Sequence, residues 1–598
     1  MTRALVVVAA LLWASGCDDG SAPSPRTPRT AVPQSTRENL DAAMEYLERA
    51  NEFEESQSSF QVAYCLNRWL DGQSLRGDWQ PDPLLERLPR EIRGHAALQD
   101  LGRLRFHVED AKPLQQSVWL RQISRWAAQR PADPSAEAWV TEREPELGRF
   151  EADQLRITLR LFDWTIRHIQ LDELIPYPAE TVAQPRPKPG EAVAPLDPPP
   201  LRGIPGPGYS LHPWQTLLYG HGDAWQRARV FILLCRQQGM DVAMLAFPAQ
   251  TIPPRPRPWL PAVLVKDDLY LFDAAWGLPI AGRDRRGIAT LAQVLEDPGL
   301  LQAMAAGSDR PYPVEAADLK SILALLDISP ADVSRRMSVV EEHLTGDHRT
   351  VLTASPARLA ARLRACRGIH EVALWSLPFE AIWYQAALEK KMADEPQAAA
   401  QQFVERAVFS GRNALVQGRC LHFRGILENQ GEKKGAIALY MEARVPQAQI
   451  DGLTTSEEVQ RQLGLTRDRD EGNVLWSRRV ASFKIVLSQA KERATYWLGL
   501  AQYDAGRYEA AIEWLERRTL EAMPNGPWTN GARYNLGRAY EALGDSERAR
   551  AWYRADKSSP QRDGNLWRAS RLEQRLPEAK QGKPERASPL SGRLSPGE

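Results

Sequence analysis

Two stretches near the C-terminus decide the fold of a large part of this chain: residues 497–518 read WLGLAQYDAGRYEAAIEWLERR, and residues 535–555 read NLGRAYEALGDSERARAWYRA. The second stretch repeats the first with a shift of 38 residues. The shared positions are Leu498-Gly499, Gly506, Ala511 and Trp514 in the first stretch and Leu536-Gly537, Gly544, Ala549 and Trp552 in the second. Each stretch has a glycine between two runs of helix-forming residues, and this pattern predicts a repeated pair of helices.

The two stretches resemble tetratricopeptide repeats, in which small residues let two antiparallel helices approach closely. Their period exceeds the usual value of about 34 residues, and the loop around Pro524-Asn-Gly-Pro527 is where the additional residues fit. A weaker third copy lies 75 residues upstream, where Gly431, Ala436 and Tyr440 take the places of Gly506, Ala511 and Leu515. The resemblance implies an α-solenoid over residues 402–577, with a concave groove that binds a protein or peptide partner.

Residues 210–290 have a different character, because strand patterns appear there between helical ones. The segment Ala224–Gly239 is a predicted helix that ends at a glycine. Three short apolar runs after it are predicted strands, and the last two are joined as a hairpin at Asp267-Asp268. These runs are Val242–Phe247, Ala262–Lys266 and Leu269–Phe272. The pattern predicts a small α+β unit.

The predicted helix of this unit follows Gly222-Asp223 and carries Ala228, Arg236 and Gly239, and the last predicted strand runs into DAAWG at 273–277. Both features resemble the transglutaminase-like superfamily, whose members are related to papain-like cysteine proteases. In that family a small residue, an Arg and a Gly follow the nucleophilic Cys at these distances, and a strand ends in Asp-Pro-Thr-Trp-Gly. The resemblance implies a papain-like fold for residues 210–290. The alternative is one more amphipathic helix beside an unrelated small sheet.

The resemblance places the catalytic positions of the family at Ala224, Pro258 and Asp273, and only the last keeps the residue type of the family. Acyl transfer needs a thiolate, which a helix N-terminus stabilises, and an alanine cannot supply one. His221 is expected to be a turn residue, and Cys235 lies three turns into the helix, where it is expected to face the core. We therefore expect three vestigial positions and no catalytic residue in this domain.

Residues 1–17 have the layout of a secretory signal, with Arg3, an apolar run from Ala4 to Trp13 and small residues before Cys17. The run is too short to cross a membrane, which takes roughly 20 apolar residues. Its end resembles the lipobox of bacterial lipoproteins, which implies diacylglycerol and palmitate on Cys17 and attachment to a membrane. The resemblance implies a place in the bacterial cell envelope, facing the periplasm. The choice between inner and outer membrane stays open, and simple secretion is the alternative to lipidation.

Composition divides the remainder into further segments, so the sequence predicts a multidomain, mainly α protein. The segments are a tether at 18–36, a helical domain at 37–173, a Pro-rich linker at 174–209, a helical region at 291–401 and a disordered tail at 578–598. Proline cannot donate a hydrogen bond to a helix or a sheet, so the cluster at 174–209 favours a linker. The alternative for this cluster is a segment that binds a groove in a partner protein.

The charge of the chain is balanced, since 76 basic residues face 76 acidic ones among 598. Such a chain has no global field that attracts nucleic acid, and we expect no nucleic-acid partner. The sequence has no GxxxxGKS, HExxH, GxSxG or dinucleotide motif, so we expect no cofactor. The remaining cysteines form no CxxC pair, which argues against a metal site and leaves their disulfide pairing open. They are Cys65, Cys235, Cys366 and Cys420.

These features together predict a membrane-anchored, non-catalytic protein- or peptide-binding scaffold of the bacterial cell envelope. One alternative is an envelope hydrolase or acyltransferase of the transglutaminase and cysteine-peptidase class that uses a non-standard site. Another alternative is a structural stalk or assembly factor, which the sequence does not distinguish from a scaffold. The enzyme hypothesis requires catalytic groups outside the three vestigial positions.

Overall fold

The computed structural model describes residues 36–50, 55–73, 77, 79–131, 133–174, 206–248, 256–394, 400–411 and 413–574. The predictions for the signal, including Cys17, for most of the tether and the linker, and for the tail lie outside these residues. The chain is about 60% helical with a small sheet, so the prediction of a mainly α protein is confirmed. No helix in the described ranges is both long and apolar enough to cross a membrane.

The N-terminal region is helical, as the apolar spacing predicts. Its helices are α1 Thr36–Glu48, α2 Glu55–Leu70, α3 Arg90–Arg93, α4 Ala96–Gln99, α5 Ala111–Ala128, α6 Pro134–Leu147 and α7 Arg149–His168. Helices α6 and α7 are separated by Gly148, whose φ of 99° is a backbone conformation that favours glycine. Helix α7 leads directly into the short strand β1 Gln170–Leu171, which pairs with β2 His221–Gly222.

A six-stranded sheet forms the centre of the molecule. Its strands are β3 Asp241–Phe247, β4 Arg257–Val265, β5 Asp268–Asp273, β6 Leu278–Pro279, β7 Ile322–Leu326 and β8 Ile369–Leu374. Their order across the sheet is β6-β5-β4-β3-β7-β8, and all neighbours are antiparallel except β7 and β8. The helices of this part are α8 Pro213–Tyr219, α9 Ala224–Gln237, α10 Leu291–Glu296, α11 Gly299–Ala303, α12 Arg335–Glu341, α13 Pro356–Arg364 and α14 Leu377–Asp394. Short 3₁₀ segments lie at Pro83–Arg87, Val108–Asp110, Arg283–Arg285, Asp318–Lys320, Ala331–Val333 and Gly346–His348.

Both faces of the sheet are buried, so its strands alternate between two cores. Met244 and Ala246 belong to the core on the side of α9, whereas Leu245 and Phe247 belong to the core on the other side. Successive side chains of a strand point to opposite faces of the sheet. Because both faces are buried, β3 carries apolar residues at odd-numbered and even-numbered positions alike. The sheet therefore separates two cores.

The local predictions for this unit are confirmed, but its predicted end at residue 290 is wrong. Helix α9 begins after Asp223, and β4 and β5 form a hairpin around Lys266, which has a φ of 58°. Strands β7 and β8 lie within the predicted helical region 291–401 and complete the same sheet. A short apolar run such as ILALL at 322–326 has no periodicity that separates a buried strand from a helix, which is why the sequence does not reveal it.

The C-terminal part is helical throughout its described residues. Its helices are α15 Ala400–Val408, α16 Ala414–Phe423, α17 Ala436–Ala443, α18 Gln447–Gly452, α19 Glu457–Gln462, α20 Asn473–Asp504, α21 Tyr508–Glu513, α22 Thr529–Ala542, α23 Ser546–Arg554 and α24 Arg562–Gln574, and Trp514–Glu521 continues α21 as a π-helix. Helix α20 has 32 residues, and its first half packs against α18 and α19 in a small separate cluster around Leu453. Its last turns belong to the first of the two repeated stretches.

The predicted domains at 37–173, 210–290 and 402–577 share one hydrophobic core. Trp119 of α5, Phe162 of α7, Phe231 of α9 and Trp497 of α20 all belong to this core. Phe162 and Phe231 pack edge to face, with ring centroids 5.1 Å apart. The predicted boundaries therefore do not separate independent units, because the helices of each segment bury apolar faces against the next.

Candidate functional site

Glycine lets the two helices of each repeat approach closely. A Cβ atom at Gly499 in α20 would lie 2.6 Å from the side chain of Leu515, and one at Gly537 in α22 would overlap the ring of Tyr553. In the upstream pair α16 and α17, a Cβ at Gly418 would lie 2.8 Å from the ring of Tyr440. In each of these three helix pairs, a glycine of the first helix therefore packs against a large side chain of the second helix.

The first helices of the repeats are covered by the N-terminal region. Gly531 donates its backbone N–H to Gln170 Oε1 at 2.8 Å, which joins α22 to β1. Asn535 Nδ2 donates to the carbonyl oxygen of Arg167 at 3.2 Å, and Arg538 pairs with Asp163 of α7. Helix α7 and strand β1 therefore occupy the inner face of the repeats, which the sequence predicts to be an open groove for a partner.

A buried carboxylate holds these helices together. Asp504, the last residue of α20, accepts hydrogen bonds through Oδ2 from Nε2 of His168 at 2.8 Å and from Nε2 of His422 at 2.9 Å. Its Oδ1 accepts a hydrogen bond from Arg167 at 2.9 Å, and its backbone carbonyl accepts one from Arg130. We call these five residues the Asp504 cluster. It joins α7, α16, α20 and the turn after α5 at one point.

Burial and the single carboxylate determine which groups of the Asp504 cluster are charged. Burial opposes the charge of Asp504, but the Arg167 cation and the hydrogen bonds from His168 and His422 outweigh it and hold the pKa of Asp504 well below its usual value. Burial lowers the pKa of His168 to about 3 in spite of the carboxylate, and it lowers the pKa of His422 as well. Both imidazoles are therefore neutral at neutral pH, and Arg167 balances the charge of Asp504.

His168, His422 and Asp504 each offer a ligand atom, and these atoms lie within 4.8 Å of one another. A histidine that binds a metal normally donates its other ring N–H to an acceptor. Among the described residues Nδ1 of His168 has no hydrogen-bond partner, and Arg167 would repel a cation at the carboxylate. The geometry instead fits two neutral imidazoles that donate to one carboxylate. These residues do not fit a metal ion.

A second histidine cluster lies at the edge of the repeats. His221 contacts Asp172 through Nδ1 at 2.6 Å and Glu405 through Nε2 at 2.8 Å. Arg493 of α20 also donates to Glu405, at 3.0 Å. Burial opposes the positive charge on His221, but the two carboxylates outweigh it and raise its pKa to about 10. His221 is thus a cation held between two carboxylates, and both of its ring nitrogens are engaged.

The structure places the three positions that the sequence predicts to be vestigial in different surroundings. Ala224 is the first residue of α9, and it is 6% exposed. Pro258 lies in β4 opposite Ala246, next to an irregularity in the strand register. Such a position tolerates proline, because the ladder is already interrupted there. Neither residue supplies a group that could act as a nucleophile or a base.

Asp273 is a structural residue at the end of β5. One carboxylate oxygen accepts hydrogen bonds from the backbone N–H groups of Ala275 at 2.8 Å and Trp276 at 2.9 Å. The other oxygen accepts a hydrogen bond from the Tyr312 hydroxyl at 2.5 Å. Burial raises the pKa of Asp273, and these hydrogen bonds oppose the increase. The carboxylate fixes the turn that follows β5 and orients no histidine.

The four cysteines of the described residues are free and buried, so the structure pairs none of them in a disulfide. They are Cys65, Cys235, Cys366 and Cys420. Cys235 is fully buried in α9, and burial raises the pKa of its thiol well above the usual value. Burial likewise raises the pKa of Cys420 to about 12. Such thiols are poor nucleophiles, because the thiolate is the reactive form.

Sequence reasoning did not single out Asp504, which the structure identifies as the central polar residue of the repeats. One signal was present in the alignment of the two stretches, because Asp504 corresponds to Ala542 in the second repeat. Ala542 is exposed, whereas Asp504 is fully buried. A charged residue at a position where the other repeat carries a small one indicates a contact particular to this chain.

Comparison with known families identifies one segment of the chain. Residues 531–555, which span most of α22 and all of α23, match the tetratricopeptide repeat. The match confirms a tetratricopeptide repeat in the second of the two C-terminal stretches and indicates a role in protein–protein interaction in general. No curated protein and no solved structure matches the chain.

Proposed function

We propose that this chain is a lipid-anchored, non-catalytic scaffold of the bacterial cell envelope that binds a protein or peptide partner. The observation that carries the proposal is the tetratricopeptide repeat at residues 531–555. Stacked repeats of this kind present extended surfaces that serve as binding platforms. Helix pairs with the same glycine contact stand on the upstream side as well, at Gly418 and Gly499, so the surface extends beyond the matched segment.

The partner surface we propose is the outer face of the second helices, because α7 covers the first helices. This face comprises α21, its π-helical continuation and α23. It exposes charged side chains of both signs, including Glu509, Arg517, Glu547 and Arg554. A mixed polar surface fits a partner that is recognised by charge complementarity more than by apolar burial.

The absence of catalysis is supported by the residues at two vestigial positions. Ala224 has a methyl group where the related enzymes carry a thiol, and Pro258 has no titratable group where they carry a base. The membrane anchor is supported by the sequence of residues 1–17, which ends at Cys17. A transglutaminase-like ancestry for the sheet and α9 is part of the same proposal.

The anchor is tested by metabolic labelling with an alkyne fatty acid in a bacterial host. We expect the wild-type chain and a Cys366→Ser control to incorporate the label and to fractionate with membranes. The Cys17→Ser variant should lose the label and the membrane association together. Equal labelling of Cys17→Ser and wild type would contradict the lipid anchor. This outcome would leave the proposed partner surface unaffected.

Partner binding is tested by site-specific photocrosslinking in the same host. A photoreactive residue at Arg517 or Glu547 lies on the outer face of the repeats, and one at Arg364 lies at the end of α13 as an exposed control. We expect one discrete adduct of constant mass from the two repeat positions and none from the control. The same adduct from all three positions, or no adduct from either repeat position, would show that the outer face is not the partner surface.

A further inference from the structure

A small cavity lies at the junction of β1, α9, α20, α22 and α24. Its volume is about 10 Å³, which is room for one small group. The polar residues around it include Gln170, Arg227, Tyr496, Tyr534 and Gln561. None of the residues that line the cavity is an aspartate or a glutamate.

Arg227 makes no hydrogen bond or ion pair with a carboxylate among the described residues, and Asp172 and Asp273 act on its charge only from a distance. Its guanidinium is 1% exposed and donates to three groups, which are the carbonyl oxygens of Ile169 and Ala274 and the side-chain oxygen of Gln561. These contacts engage four of its five N–H groups, and one N–H on Nη2 is left. Burial lowers the pKa of Arg227 to about 10, so it is a cation at neutral pH.

Two tyrosine hydroxyls beside the cavity also have a hydrogen to donate. The Tyr496 hydroxyl accepts a hydrogen bond from Asn535 at 3.1 Å, and the Tyr534 hydroxyl accepts one from Arg538 at 3.3 Å. Neither hydroxyl donates to an acceptor within the described part of the chain. The carboxylate of Asp556, which is close to this region, is already engaged by Ser559 and Asn565. The cavity is therefore rich in donors.

We propose that this cavity is a binding site for a monovalent anion of the size of chloride. A buried cation without a directly bound counter-charge is costly, and an anion in the cavity would add to the distant charges of Asp172 and Asp273 in offsetting that cost. The remaining N–H of Arg227 and the hydroxyls of Tyr496 and Tyr534 are the donors that would hold the anion. An anion there would join the end of α7, the start of α9 and the repeats. The proposal does not depend on the proposed scaffold function.

Bromide tests the proposal directly, because it replaces chloride and scatters X-rays anomalously. We expect crystals of the full chain grown in sodium bromide to show an anomalous peak within hydrogen-bond distance of Arg227. A fully occupied site without an anomalous signal would identify a water molecule and overturn the proposal. A peak only on the protein surface would overturn it as well.

Thermal unfolding tests the same site in solution. Chloride is compared with gluconate, which is too large to enter the cavity, at equal ionic strength and with the full chain in mild detergent. We expect chloride to raise the midpoint of the wild type by about 2 °C in a saturable manner. Asn530 lines the cavity and is half-buried. The Asn530→Trp variant should lose this increase. The substitution removes no hydrogen bond of Arg227, because Arg227 makes none with Asn530.

The matched control is a second buried arginine that does not line the cavity. Arg419 donates to the carbonyl oxygens of Leu217 and His168 and lies over the ring of Trp497. The Arg419→Met variant should unfold at a lower temperature but keep the full chloride-dependent increase. Loss of the increase in Arg419→Met, or its persistence in Asn530→Trp, would overturn the proposal.

Discussion

Arg167 Nη1 donates a hydrogen bond to Asp504 Oδ1 at 2.9 Å, although the two residues are 337 positions apart in the sequence. Both side chains are almost completely shielded from water. The contact fastens the end of α7 to the end of the first repeat helix α20. Because α7 also packs on α9 through Phe162 and Phe231, the contact links the repeats to the central sheet.

The Asp504→Asn variant should lower the free energy of unfolding by about 3 kcal/mol, because it leaves Arg167 buried with less compensation. The amide also cannot accept as many hydrogen bonds from His168, His422 and Arg167. Urea unfolding followed by circular dichroism measures the loss. The exposed Asp470→Asn is the matched control and should change the free energy by less than about 0.5 kcal/mol. Equal stability of both variants would show that the cluster contributes nothing.

The stability of the chain should fall as the pH is lowered from about 7 to about 5, because His168 stays neutral in the folded state. The pKa of His168 is about 3 when folded and about 6.5 when unfolded. The unfolded chain therefore binds more protons in this range, which favours unfolding, with a slope of up to about 1.4 kcal/mol per pH unit for His168. Urea midpoints at several pH values measure it. The His168→Gln variant should show a shallower decrease, and an unchanged slope would contradict the prediction.

A separate loss of stability is expected as the pH rises from about 7 to about 8, because His221 is a cation in the folded state. Its pKa is about 10 when folded and about 6.5 when unfolded. The folded chain keeps a proton that the unfolded chain releases, so the stabilisation by His221 is complete below about pH 6.5 and decreases above it. The His221→Gln variant should be less stable at neutral pH and show a flatter dependence in this range. A parallel dependence in variant and wild type would refute the role of His221.

The Gly537→Ala variant should destabilise the second repeat by about 1–3 kcal/mol, because its methyl group overlaps the ring of Tyr553. Gly102→Ala is the control, since a Cβ there would lie 3.7 Å from the nearest side chain, that of Trp79. Thermal unfolding of both variants measures the difference. A Tyr553→Leu substitution should recover part of the loss in Gly537→Ala, and no recovery would show that the ring is not the obstacle.

The thiols of the folded chain should react slowly with a thiol-directed acyl probe, because burial raises the pKa of Cys235 and Cys420. Mass spectrometry of the labelled chain, with and without urea, measures this. The Ala224→Cys variant should bind the probe faster than the wild type at the N-terminus of α9 but should cleave no peptide, since Pro258 supplies no base. Peptide cleavage by the wild type that is lost in Cys235→Ser would favour the enzyme hypothesis.

Local patterns in the sequence predicted the elements well where hydrogen bonding and turn chemistry act over a few residues. Asp223 at the start of α9, the hairpin around Lys266 and the glycines of the repeats are of this kind. The position of β7 could not be predicted in this way, because its five residues are apolar in every position. Only part of the candidate site could be predicted from the sequence, because the packing glycines recur in the repeats but Asp504 does not.

The sequence by itself determined the repeat pattern, the start of α9 and the presence of Ala224 and Pro258, which carry neither a thiol nor an imidazole, because these depend on residue type and spacing. Only the tertiary structure decided that α7 fills the inner face of the repeats and that Arg167 and Asp504 meet. Contacts between residues hundreds of positions apart depend on which amphipathic helices pack against each other, and a single sequence does not show this packing. Burial then decided the charges, because the low pKa of His168 and the high pKa of His221 follow from their surroundings.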